Sequence, residues 1–176
     1  MEDQDGAPKP PVPSKESLPQ KLQDHPQFVV WRYEWRLDEK SGEQKLTKVP
    51  YTTQNNRASH SRPTDWTTLD NVLRHIDANP ARKYGVGYVF SENDPFCGID
   101  LDNCRDPETG EIAEWGREWI RKLDSYAEVS PSGTGVKIIV KAVLPGKGRK
   151  NPNYAGGAVE VYDRNRFFTL TGVPVE

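Results

Sequence analysis

Apolar residues in this chain recur mostly in short alternating runs. Phe28 to Trp35 (Phe-Val-Val-Trp-Arg-Tyr-Glu-Trp) is β-branched and aromatic and predicts a strand. Lys45 to Tyr51 returns as a second strand after a turn over Asp38 to Glu43. Tyr84 to Phe90 and Phe96 to Asp102 predict two more, and Tyr126 to Val129, Val136 to Lys141, Val159 to Tyr162 and Phe167 to Thr171 follow, the last two around a turn at Asp163 to Asn165. Helical spacing is confined to two stretches. Leu69, Val72, Leu73 and Ile76 fall at i, i+3, i+4 and i+7, with Thr64 or Asp65 as the predicted cap and Asn79-Pro80 as the stop. Ile112, Trp115, Trp119 and Leu123 mark the second helix. Runs of neighbouring strands with two main helices predict an α+β fold, a largely antiparallel β-sheet covered on one face.

Composition changes that picture at the ends. The hydrophobic fraction of 34% and the mean hydropathy of −0.83 are low for a packed domain. Residues 1–26 account for much of this: six prolines among few large apolar groups predict a disordered or extended tail, leaving 27–176 as the domain. Residues 145–157 predict a basic, Pro/Gly-rich loop. With 24 Lys+Arg against 26 Asp+Glu and a net charge of −2, a uniformly basic DNA-coating protein is excluded, but a local basic groove is not. No apolar run approaches the roughly 18 residues of a membrane span. Met-Glu-Asp-Gln-Asp at the start is no signal peptide, so a cytoplasmic location is expected. Cys97 and Cys104 are too few for a zinc ribbon and read as reduced thiols. His25, His60 and His75 share no metal-ligand spacing.

The sharpest chemical feature is Gly98-Ile-Asp-Leu-Asp102. Alternate strand residues share a face, so Ile99 and Leu101 point to the core while Asp100 and Asp102 project together. Adjacent carboxylates repel, and a divalent cation that takes oxygen ligands, Mg²⁺ or Mn²⁺, resolves the repulsion. Taken alone, the pattern is also that of a solvated strand end. Ser130-Pro-Ser-Gly-Thr-Gly135 then links two strands. Backbone N–H groups near Gly133 and Gly135 can approach an anion there, and Ser130, Ser132 and Thr134 carry hydroxyls. Lys137 follows with an ammonium suited to triphosphate oxygens. No helix follows, so this is not a P-loop, and its plain alternative is a Gly-rich hairpin. Finally, Val159 to Asp163 puts Glu160 and Tyr162 on one strand face. Glu160, or alternatively Asp163, offers a third carboxylate for a two-metal site of the kind used in in-line phosphoryl transfer. Arg164 and Arg166 lie just beyond, as phosphate ligands or as ordinary surface charges.

In order, spacing and strand context, these three segments resemble the archaeo-eukaryotic primase superfamily, and within it the primase-polymerase branch of phages, plasmids and bacterial mobile elements. The acidic pair matches Asp100 and Asp102, the Ser/Gly loop leading to a basic residue matches Ser130 to Lys137, and the late acidic residue matches Glu160. Arg166-Phe-Phe-Thr-Leu-Thr-Gly172 is similar to the strand that closes the catalytic sheet in that branch, and Lys48-Val-Pro-Tyr51 and Thr64-Asp-Trp66 are also similar to it. The resemblance covers roughly residues 28–172. Two points depart from the pattern or leave it open: Lys137 stands where the superfamily usually has His, and motif position and alternation favour Glu160 over Asp163.

The resemblance implies an RRM-like catalytic core and a DNA primase/polymerase. Two Mg²⁺ or Mn²⁺ ions would sit on Asp100, Asp102 and Glu160. The triphosphate would be held by Ser130, Ser132, Gly133, Thr134, Gly135, Lys137 and Arg166. Its partners would be a single-stranded DNA template, a primer and (d)NTPs, with a helicase region or protein as a further expected partner, because members of the branch commonly continue past this point. A template track needs basic and aromatic groups. Lys48 and Arg57 near the second strand and Lys147, Arg149 and Lys150 in the late loop are the candidates. Trp115 and Trp119 read as core, whereas Trp31, Tyr33 and Trp35 alternate on a strand either of whose faces could be core. Two other classes share these features. One is a replication-initiator domain that binds nucleotide or nucleic acid without catalysis. The other is a different D-x-D metal enzyme such as a nuclease.

Overall fold

The computed structural model describes residues 6–39 and 41–175. In chain order the elements are α1 (Gln20–Gln23), β1 (Phe28–Leu37), β2 (Gln44–Tyr51), α2 (Leu69–Ala78), β3 (Gly85–Phe90), β4 (Phe96–Asp102), α3 (Glu114–Leu123), β5 (Tyr126–Val129), β6 (Val136–Lys141), β7 (Arg149–Tyr154), β8 (Gly157–Tyr162) and β9 (Arg166–Leu170). The α+β class is as expected, but the strands form two sheets rather than one. The first has the order β2-β1-β3-β9 and the second β5-β6-β4-β8-β7. Every pairing is antiparallel. Alternation identifies strands but not their partners, and β9 shows the difference: it leaves β8 through a tight turn and pairs with β3 in the other sheet.

Each sheet has its own helix. α2 lays Leu69, Val72 and Ile76 against Phe28, Val30, Val86 and Tyr88 of the first sheet. Its cap is Thr68, whose side chain accepts from the Asn71 N–H, and not Thr64 or Asp65, which belong to a separate 3₁₀ turn over Pro63–Asp65. α3 covers Ile99, Leu101, Val136 and Ile138 of the second sheet with Trp115, Trp119, Ile120 and Leu123. Cys97 and Cys104 are buried free thiols, each pushed up to about 11 by burial.

β4 joins the sheets and then opens the site. Phe96 and Ile139, from the second sheet, enter the same core as Phe90 and Phe168 from the first. Gly98 lies between them, and a Cβ there would come within 2.6 Å of both the Phe90 and Phe168 rings. The next residues on that face are Asp100 and Asp102. One face of one strand thus passes from shared core to charged cleft.

Two expectations give way. The stretch read as a loop over 145–157 contains β7, an edge strand with exposed side chains and an irregular register around Pro152. Exposed residues show no apolar alternation, and a proline is tolerated on an edge. The proline-rich N-terminus is not a solvated tail where it is described: Ala7, Pro10, Pro13, Leu18 and Leu22 are buried, the leucines in the main core. Residues 1–5 of that predicted tail lie outside the described residues. Small and proline side chains pack without a periodic signature, so composition mistook a strap for a tail. Leu22→Ala should therefore cost about 2–4 kcal/mol in urea denaturation. A detached tail would leave the midpoint unchanged.

Candidate active site

The register of the second sheet assembles the site. Asp100 on β4 lies opposite Lys137 on β6 and opposite Glu160 on β8. Lys137 in turn faces Glu128 on β5, and Glu160 faces Lys150 on β7. One transverse row of ionisable side chains therefore crosses all five strands: Glu128, Lys137, Asp100, Glu160, Lys150.

Contacts within the row are specific. The Lys137 ammonium donates to Asp100 Oδ2 at 2.7 Å and sits 4.3 Å from the centre of the Phe168 ring. Lys137 is nearly inaccessible, so its carboxylate partner and the aromatic face together replace its water. Glu160 is held by Lys150 and by the Tyr162 hydroxyl, which donates to Oε2 at 2.7 Å. Burial works against the Glu160 carboxylate, but these two hydrogen bonds outweigh it and draw its pKa below the usual value. Arg166 donates to the Tyr162 hydroxyl at 3.1 Å and stacks on its ring. Asp102, one step along β4, is pushed up by burial and then by the Asp100 charge.

The Ser/Gly loop lies at the Asp102 end of this arrangement. Gly135 approaches so closely that a Cβ would fall 2.6 Å from the Leu101 carbonyl oxygen. Ser130, Ser132 and Thr134 are linked hydroxyl to hydroxyl at 2.9 Å, and Ser130 Oγ accepts from the Gly135 N–H. The Arg105 guanidinium donates to the Gly133 carbonyl at 2.8 Å, and Gly133 itself has a φ of 77°.

The structure also sorts the remaining candidates. Asp163 accepts from Arg164 and from the Leu144 N–H, so the carboxylate opposite Asp100 is Glu160. Lys48, expected on a template track, lines a cleft of 180 Å³ together with Asp100, Lys137, Glu160 and Arg166. Lys150 is engaged by Glu160, and Arg57 pairs with Glu34 in a separate cluster with Arg32 and Tyr51. Lys147 and Arg149 are exposed and make no ion pair among the described residues.

Whether these groups suit a divalent cation can be judged from their free valences. Among the described residues no three His, Cys, Asp or Glu side chains are grouped to hold a metal ion; Lys137 holds one Asp100 oxygen, and Lys150 and Tyr162 hold Glu160. Asp100 Oδ1, however, is buried with no hydrogen-bond partner. An orphaned carboxylate oxygen beside a second carboxylate is costly without a ligand, and its chemistry fits Mg²⁺ or Mn²⁺.

No protein-family model matches the chain. It is 33% identical over 153 residues to the DNA primase-polymerase of Nitratiruptor phage NrS-1, a match covering 86% of this chain and 20% of that protein. This chain is related to part of a DNA primase-polymerase. It spans about one fifth of the length of that relative. Among the described residues, no helix is long and apolar enough to cross a membrane.

One part of the domain's site escaped the sequence reading. Glu128 is fully buried; it accepts from the Thr171 and Gly172 N–H groups at 3.0 Å and from the Tyr126 hydroxyl at 2.6 Å. Burial raises its pKa, against the pull of those bonds. It ties the chain just beyond β9, and with it the first sheet, to the charged row of the second. A glutamate sharing a face with Tyr126 in a short strand was the available signal, but its meaning depends on the Lys137 register.

Proposed function

We propose that this domain is a metal-dependent nucleotidyltransferase, a DNA primase/polymerase that adds nucleotides to a 3′-hydroxyl on a single-stranded template. The observation that carries this reading is the Lys137–Asp100–Glu160 row, with Asp100 Oδ1 left open, in a chain related to a primase-polymerase. Asp100 and Asp102 would hold divalent cations with Glu160 beside them. When bound, Mg²⁺ or Mn²⁺ lowers the pKa of an attacking hydroxyl and neutralises a leaving pyrophosphate. Lys137, Arg166 and the Ser130–Gly135 loop would hold and orient the triphosphate, supplying position and fixed positive charge. The Lys137 ammonium would take the phosphate-binding role usual for histidine, as a compact point charge. Lys147 and Arg149 remain as template contacts, and a helicase region or protein as a partner. The phage relative favours a mobile-element replication setting.

The test is incubation with a primed template, labelled dNTPs and Mg²⁺ or Mn²⁺. Primer extension supports this reading. Binding without extension would favour an initiator module, and strand cleavage a nuclease.

Asp102 gives a second expected result. A carboxyl whose folded pKa is raised stabilises the fold when protonated, and that contribution is lost as pH rises through the folded value. Activity that needs the carboxylate moves the other way, with its acid limb above the ordinary 3.8 of aspartate. Asp102→Asn should therefore lose activity yet melt at a higher temperature than the natural chain at pH 7. Melting at a lower temperature would contradict this.

A further inference from the structure

The first-sheet wall of the cleft carries two polar groups with no partner. Lys48 is half-buried and its ammonium makes no hydrogen bond or ion pair among the described residues, and the Thr169 hydroxyl is buried and unpaired. Both line the cleft that holds Asp100 and Lys137. Register puts them on one sheet face: Lys48 opposes Tyr33, Val29 opposes Gly87, and Gly87 opposes Thr169. The charges that Lys48 feels most are Lys137, then Asp100 and Asp102, all across the cleft on the second sheet. An ammonium withdrawn from water with no counter-ion is unfavourable. An anion entering the cleft removes that cost.

The anion must be dense in charge. Lys48, Lys137 and Arg166 all border the same 180 Å³. A single strand offers one charge per phosphate, spread along its length, whereas a triphosphate concentrates its charge in one place. We propose that Lys48, with Thr169, is the first sheet's half of the triphosphate site, so that an incoming nucleoside triphosphate bridges the two sheets between Lys48 and Lys137. This rests on the nucleotidyl-transfer reading and moves Lys48 from the template track to the nucleotide. Glu128, the Lys137–Phe168 contact and the shared core already couple the walls, and the nucleotide would add a bridge across the cleft itself.

Calorimetric titration of the natural chain, Lys48→Met and Lys48→Arg with dATP and dAMP in Mg²⁺, and with a single-stranded oligonucleotide, tests this. Lys48→Met should weaken dATP about tenfold or more, as loss of a charge-assisted contact does, and weaken dAMP much less. Lys48→Arg should recover part of the loss, and oligonucleotide affinity should stay within about twofold in both. Because Lys48 has no partner to lose, Lys48→Met should also melt no lower than the natural chain. Equal dATP affinity in Lys48→Met and the natural chain would overturn the inference. So would loss of oligonucleotide affinity with dATP binding intact, which would return Lys48 to the template. If the natural chain itself bound no dATP, the nucleotidyl-transfer reading would fail first.

Discussion

Asp100→Asn should abolish primer extension, by at least about a thousandfold, while leaving the chain folded. Asp100 is the one residue of the charged row in contact with both functions of the site. Its Oδ2 neutralises a nearly buried Lys137 at 2.7 Å, and its Oδ1 is the open valence. Asparagine keeps an oxygen that can accept from Lys137 but removes the charge that would attract a cation. Its cost to stability should be about 1–3 kcal/mol, the usual toll for a weakened hydrogen bond to a buried charge. Asp100→Ala should cost more, because Lys137 then loses its one hydrogen-bonded carboxylate among the described residues and keeps the Phe168 ring and the more distant Glu128 charge. Extension measured beside circular dichroism and a denaturation curve separates the two effects. Asp100→Asn that extends primers like the natural chain would remove the carboxylate row from catalysis.

Gly98→Ala should destabilise the fold by about 1–3 kcal/mol or more, although alanine is smaller than almost any other replacement. The obstacle is the pair of rings, Phe90 and Phe168, each 2.6 Å from the new Cβ. Phe168 also lies under the Lys137 ammonium, so any shift that relieves the clash moves a contact of the site. Reduced extension should accompany the lower stability. Phe90→Leu in the same chain should recover part of both by making room. A neutral Gly98→Ala would mean that the sheets are not clamped together at this point.

What could be read from the residues themselves was whatever depended on local alternation. Asp100 and Asp102 on one face, Ile99 and Leu101 on the other, and Glu160 sharing a face with Tyr162 all follow from the two-residue period of a strand, and the structure places them so. What escaped depended on pairing across long sequence separations. Nothing near Lys48 announces that β2 brings it to carboxylates on β4, and nothing near Arg166 announces that β9 pairs with β3. Glu128 became informative only once β5 lay beside β6. The N-terminal strap and β7 escaped for a third reason. One packs through prolines and isolated leucines and the other is an exposed edge, so neither has the periodic apolar pattern by which elements are recognised.

On this reading the sheet-crossing row directs template-dependent nucleotide addition. Single-nucleotide addition to a labelled primer, opposite each of the four template bases, in Mg²⁺ or Mn²⁺ and in chelator, tests it most directly. The expected result is a primer one nucleotide longer with the complementary dNTP, little product with the other three, and none in chelator. A primer that stays at its original length in both metals, while dNTP and template are shown to be bound, would contradict it.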